Sequence, residues 1–224
     1  LSIDLIKSKE WLFHFIENRC IYRVAPNEEK LPAKKKEKKY SWQFYLRRAL
    51  FNSHALTTIG MLFWEEFADH YRQKPFQIMG LETGSTPLLV GISMTAPFYG
   101  INVNTVSIRA ERKVYGLLNR FEGIIDYDLP VLLVDDLCNS KNTMMRARKY
   151  CLLEGLEIYD FGFAVVNKDV EESRPDYDKH IGESLKIKSL FHIKEFITNY
   201  THYMAYLEEN GLPYYEFKRE RYVE

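Results

Sequence analysis

The chain has 224 residues, with 31 Lys+Arg balanced by 31 Asp+Glu and a formal net charge of zero. That length suffices for one α/β domain with a full core, and the neutral balance leaves no global field to draw in nucleic acid or an anionic membrane. Aromatic residues make up 15% of the chain, too many for a disordered segment, and no apolar run approaches the ~20 residues that cross a bilayer.

Positions 3–22 carry an amphipathic helical pattern in Leu5, Trp11, Leu12, Phe15 and Ile16. A polar stretch follows over 25–39, punctuated by proline and holding Lys34, Lys35, Lys36, Lys38 and Lys39. It reads first as a solvated loop; contact with a polyanion, a nucleic acid or a substrate phosphate, is the second reading. Leu56, Ile59, Leu62, Phe63 and Phe67 predict a helix over 55–71, ended before Pro75. A strand is expected over 76–81, a helix over 87–94 and a strand over 103–108. The segment 109–122 is polar and cationic. Next come a strand over 131–134, a helix over 143–153 stopped by Gly155, strands over 158–166 and 187–190, and a helix over 193–207. Strands alternating with helices predict an α/β fold with a central, mostly parallel sheet. Residues 1–70 read as a helical N-terminal hood and 71–224 as the α/β core with a C-terminal helix.

The three cysteines, Cys20, Cys138 and Cys151, lack metal-ligand spacing, as do the six histidines. With no secretory hydrophobic region at the start, free thiols in a reducing cytoplasm are expected. Cys138 reads as a small apolar filler.

Three loops that follow three predicted strands carry the chemistry. In Val131-Leu-Leu-Val-Asp-Asp-Leu-Cys-Asn-Ser-Lys-Asn-Thr143, four apolar residues run into Asp135 and Asp136. Two acids at a strand tip can reach the two hydroxyls of a ribose. Asn139, Ser140, Lys141, Asn142 and Thr143 supply donors beside a helix N-terminus, which attracts phosphate, and Thr143 is the expected N-cap. In Gly80-Leu-Glu-Thr-Gly-Ser-Thr-Pro87, the amides of Thr83, Gly84 and Ser85 can cradle a pyrophosphate. The third loop, Arg109-Ala-Glu-Arg-Lys-Val-Tyr-Gly116, has the polar composition of a segment that orders over an anion.

These three stretches, in this order, resemble the type I phosphoribosyltransferases. Their flanks are most similar to orotate phosphoribosyltransferase. The acidic stretch resembles that family's motif for 5-phosphoribosyl-1-pyrophosphate (PRPP), the second its pyrophosphate loop, and the third its flexible catalytic loop. Leu46-Arg-Arg-Ala-Leu-Phe-Asn52, after an aromatic cluster, resembles the segment lining the base pocket. The resemblance implies a Mg²⁺-dependent transfer of ribose 5-phosphate from PRPP to a nitrogen acceptor, an orotate-like base by default, with release of pyrophosphate. Asp135 and Asp136 would hold the ribose, Arg109, Arg112 and Lys113 would fold over the pyrophosphate, and Glu111 of the same loop is expected among the catalytic residues. Phe44, Tyr45 and Lys168 would line the acceptor pocket. Mg²⁺ would be carried mainly by PRPP rather than by protein ligands. A homodimer is implied, because in the family the catalytic loop of one subunit often serves its neighbour.

The chain departs from the family pattern at four places. Lys141 stands where a glycine is expected, Ala110 where a lysine is usual, Tyr115 where a histidine is usual, and Lys168 near the place of an arginine that grips the orotate carboxylate. Lys168 supplies a point charge rather than a bidentate fork. Lys141 and Ala110 motivate an alternative, a non-catalytic PRPP-binding regulator or a subunit of a larger defence or toxin assembly, and Lys168, Ala110 and the basic run leave a macromolecular acceptor or partner open.

Overall fold

The computed structural model describes residues 4–32, 39–111, 119–139, 141–168 and 185–217. Helix α1 (Leu5–Arg19) opens on Asp4, whose side chain accepts from the Lys7 amide. It stops short of the expected 22, because Ile21 to Arg23 form strand β1, antiparallel to β4 (Trp42–Phe44). Between them β2 (Leu31–Pro32) pairs with β3 (Lys39–Tyr40). These strands of two and three residues are too short to show a period-two pattern in sequence. A one-turn helix α2 (Arg47–Leu50) leads to α3 (Ser53–Gln73), capped by the Asn52 side chain on the Ala55 amide.

The sheet then begins. Strand β5 (Gln77–Leu81) feeds α4 (Ser85–Thr95), which is followed by β6 (Thr105–Ile108) and the short β7 (Phe121–Glu122). Next come β8 (Val131–Cys138), α5 (Asn142–Leu153), β9 (Ile158–Asn167) and β10 (Lys186–His192). The order across the sheet is β10-β9-β8-β5-β6-β7. Every pairing is parallel except β6 with β7, an antiparallel edge that the polar composition of 109–122 concealed.

The pleat of β8 shows how the two faces are filled. Leu132 and Val134 join the cluster of α1, α3 and α4, while Val131 and Leu133 join Ala147 and Cys151 of α5. Strands buried on both faces read as continuous apolar runs, which is why β8 was visible in sequence. Helices α3 and α4 cross where Gly60 meets Gly91: a Cβ on Gly60 would lie 2.5 Å from the Gly91 carbonyl oxygen. The Trp64 indole closes the crossing by donating to the Ile92 carbonyl at 2.7 Å. Residues on both sides of position 70 share this core; Leu12, Ile16 and Phe63 belong to the same cluster as Phe76 and Val134. Among the described residues no helix is long and apolar enough to cross a membrane.

The helix expected over 193–207 is broken. A single 3-10 turn (Ile193–Glu195) is followed by an extended stretch before α6 (Tyr200–Glu209), capped by Asn199 on the His202 amide. A buried ion pair pulls the chain out of helix. Arg23 Nε donates to the Ile197 carbonyl at 2.6 Å, and the Ile197 amide donates to Glu17 Oε2 at 3.2 Å. Arg23 Nη2 meets the Glu17 carboxylate directly, and the guanidinium lies 3.7 Å from the centre of the Tyr203 ring. Both peptide groups of Ile197 are thus claimed from α1 and β1, so they cannot enter a helical ladder.

Candidate active site

Ligands on parallel α/β sheets gather beyond the carboxyl ends of the strands, and the three loops meet there. Strand β8 does not end at Val134 as expected. Its pairing with β9 runs on through Asp135↔Ala164 and Leu137↔Val166 to Cys138↔Asn167, whereas its register with β5 covers Val131 to Leu133. The two acids are therefore still in strand geometry rather than in a turn, yet their side chains stay close enough to interact. Asp135 is buried, Asp136 half-buried.

Each acid is held by the next amide: Asp135 Oδ1 accepts from the Asp136 N–H at 2.9 Å, and Asp136 Oδ1 from the Leu137 N–H at 2.8 Å. Burial, and then the neighbouring Asp136 charge, push the Asp135 carboxyl well above the usual carboxylate range.

The second loop packs directly on this pair. A Cβ on Gly84 would sit 2.7 Å from Asp136 Oδ1, so any other residue here would have to push the Asp136 carboxylate aside. Gly84 is the N-cap of α4 and carries no side-chain cap, which leaves amides at that helix start open to an anion. Ser85 is buried and its hydroxyl donates to the Leu81 carbonyl at 2.6 Å, so its side chain braces the loop. Thr83 is exposed, and the Glu82–Thr83 peptide is cis.

The root of the third loop is tied to the second. Glu82 Oε1 accepts from the Ala110 amide at 3.1 Å, and Arg109 lies 3.9 Å from Glu82 and 3.7 Å from Glu122. Arg146 on α5 donates to the Ala110 carbonyl at 2.6 Å. Arg120 reaches the same carbonyl at 3.4 Å and stacks 4.0 Å from the Tyr150 ring centre. Glu82, Arg120, Arg146 and Tyr150 were not among the expected site residues. Arg146 lies one helical turn after Thr143, the spacing that returns a side chain to the same face. Glu111 is exposed. Arg112, Lys113 and Ser140 lie outside the described residues.

At the head of α5 the N-cap is Lys141, not Thr143. Lys141 adopts left-handed backbone at φ 57, the conformation that favours the glycine expected at this place. Its carbonyl accepts from the Met145 amide at 2.8 Å, opening the helix, and its own side chain does not cap the first turn. Asn139, Asn142 and Thr143 are exposed around these amides.

On the other side of β8, Lys168 begins the loop after β9 and donates its amide to the Cys138 carbonyl at 2.9 Å. Its ammonium lies 4.6 Å from the Trp42 ring centre and 5.6 Å from that of Phe44, in cation–π range of both. Burial lowers its pKa. Phe44 is buried and packs on Phe196, so Trp42, absent from the expected residues, is the more accessible aromatic beside Lys168. Tyr45 lies instead beside Phe217, with ring centres 6.1 Å apart. All three cysteines are buried and none forms a disulfide, and burial pushes the Cys20 and Cys151 thiols up to about 12. Among the described residues no group of three His, Cys, Asp or Glu side chains could hold a metal ion.

No family model matches the chain. It is similar to the orotate phosphoribosyltransferase of Methanocaldococcus jannaschii, 25% identical over 70% of this chain and 82% of that protein. It is also similar to the orotate phosphoribosyltransferase of Aquifex aeolicus, 26% identical over 53% of this chain. That second match spans 62% of the Aquifex protein's length. Among solved structures, orotate phosphoribosyltransferase from Mycobacterium tuberculosis in complex with PRPP superposes with a TM-score of 0.61 at 18% identity, over 85% of this chain and 92% of that one. The fold is that of the type I phosphoribosyltransferases.

Proposed function

We propose that this chain is a phosphoribosyltransferase that moves ribose 5-phosphate from PRPP to a ring nitrogen of an orotate-like base. The observation that carries this reading is the approach of Gly84 to Asp136, which sets an anion-binding loop against an acid pair at one strand tip. The acceptor's nitrogen lone pair forms the new bond to the anomeric carbon. The bond to pyrophosphate breaks, its electron pair leaves with the phosphate oxygen, and the configuration inverts.

Each element has a part in that step. Asp135 and Asp136 accept the ribose hydroxyls and favour the cationic character that develops on the ring. The open amides behind Lys141 take the 5′-phosphate, and those of Thr83 to Ser85 the pyrophosphate. Arg109, with Arg112 and Lys113 from the same loop, neutralises charge on the leaving group. Mg²⁺, a hard cation that prefers oxygen ligands, would be carried mainly by PRPP and would offset the negative charge of pyrophosphate. Lys168 offers a point charge to an acceptor carboxylate. A cytoplasmic homodimer completes the reading, on the family likeness.

The test is pyrophosphate release from PRPP and Mg²⁺ with orotate and a panel of other bases. Release with orotate, lost in Asp136→Asn, is the expected result. A second reading, a PRPP-binding regulator without turnover, is favoured by the left-handed Lys141 in the phosphate loop. It is distinguished by PRPP binding with no pyrophosphate released for any base.

A further inference from the structure

The segment after α6 is fastened against α1, β1 and α2 by aromatic and cationic groups. Tyr215 sits under Arg19 of α1, whose guanidinium carbon is 3.4 Å from the ring centre. Two residues on, Phe217 lies between three partners. Arg48 is 3.6 Å above its ring, Tyr22 is 5.3 Å away edge-on, and Tyr45 is 6.1 Å away. Phe217 alone among residues 211–217 is half-buried rather than exposed. Arg48 is itself tied to the Arg19 carbonyl at 3.2 Å, so the contacts form one connected set.

The partners of Phe217 matter for where they stand. Tyr22 is the middle residue of β1, Tyr45 follows β4, and Arg48 is in α2. Tyr22 pairs across the hairpin with Gln43, between Trp42 and Phe44. Along β4 side chains alternate, so Trp42 and Phe44 project from one face, and that face carries Lys168. The same hairpin therefore holds Lys168 through one set of rings and Phe217 through another.

We propose that Phe217, held by Arg48, is a positioning residue that fixes the β1–β4 hairpin and so sets how Trp42 is presented beside Lys168. Its effect falls on the acceptor side and spares the PRPP side. The acceptor part of this inference rests on the proposed function; the positioning of Trp42 does not.

The experiment uses the full chain in a Trp11→Phe background. Trp64 is fully buried, so Trp42 then dominates acrylamide quenching. Phe217→Ala is expected to raise the Trp42 quenching constant about twofold, Phe217→Tyr to restore it, and Arg48→Gln to reproduce the Ala effect without adding to it. The affinity for PRPP with Mg²⁺ is expected to stay unchanged, while KM for orotate rises about tenfold at constant kcat, the loss of one cation–aromatic set. Unchanged quenching in folded Phe217→Ala and Arg48→Gln proteins overturns the inference. So does a rise in KM shared equally by PRPP. Should the parent protein not consume orotate, the acceptor assignment fails, and the quenching comparison still decides the positioning role.

Discussion

Asp135→Asn should make the protein more stable and less active at the same time. In the native state the Asp135 carboxyl is buried, 6% exposed, and faces the Asp136 charge. Asparagine keeps the hydrogen bond from the Asp136 amide, because its carbonyl oxygen can still accept the donor seen at 2.9 Å. It also removes the like charge and the desolvated ion. Relief of such a strained site is worth about 1–2 kcal/mol, or roughly 2–8 °C in Tm for a domain of this size. The pH dependence fixes the cause. A carboxyl whose native pKa is raised keeps its proton in the folded state after the unfolded state has lost it. Stability therefore falls as pH rises from about 4 through the raised native value, and is flat above it. Asparagine has no such slope. Thermal melts of both proteins from acid to neutral pH should show a gap that is negligible near pH 4 and opens towards neutrality, while pyrophosphate release falls by several orders of magnitude. A variant that is destabilised equally at every pH refutes the electrostatic account of this residue.

Four further outcomes follow from other parts of the structure. Gly84→Ala should reduce turnover at least about 100-fold with little change in Tm, because the new methyl meets the movable Asp136 carboxylate at 2.7 Å and displaces it; kinetics alongside a melt check this. Lys141→Gly should add about 1 kcal/mol of stability by releasing the left-handed backbone at φ 57, read as a shift in the denaturant midpoint. Arg23→Met should cost about 3–5 kcal/mol, since it strands Glu17, 2% exposed, whose carboxyl burial already pushes up; pairing it with Glu17→Leu should recover part of the loss in a double-mutant cycle. The Cys20 and Cys151 thiols, pushed up to about 12 by burial, should resist alkylation at pH 8 until the protein unfolds, as mass measurement of iodoacetamide-treated native protein would show.

The sheet and its helices were legible in the chain because each buried strand is a continuous apolar run and each helix has its period. Val131 to Val134 and Phe163 to Val166 are the clearest cases. The loops of the candidate site could be picked out for the same reason: they follow those runs. Reading failed where tertiary contacts outvote local pattern. Asp135 and Asp136 look like a turn because they are polar, yet β9 continues to pair with them. The segment around Ile197 has helical spacing, yet Arg23 and Glu17 claim its peptide group from over a hundred residues away. The β1–β4 hairpin is too short to carry a pattern, and with it Trp42 was missed. Arg146 and Arg120 look like ordinary surface charge, and only the position of the Ala110 carbonyl gives them a role.

The central claim is that the edge formed by Asp135, Asp136, Gly84 and the head of α5 binds PRPP. Isothermal titration of the full chain with PRPP and Mg²⁺ tests it most directly. The account expects saturable binding in the micromolar range, weakened in a protein carrying both Asp135→Asn and Asp136→Asn whose melt remains cooperative. Heats no different from dilution at millimolar PRPP would contradict it.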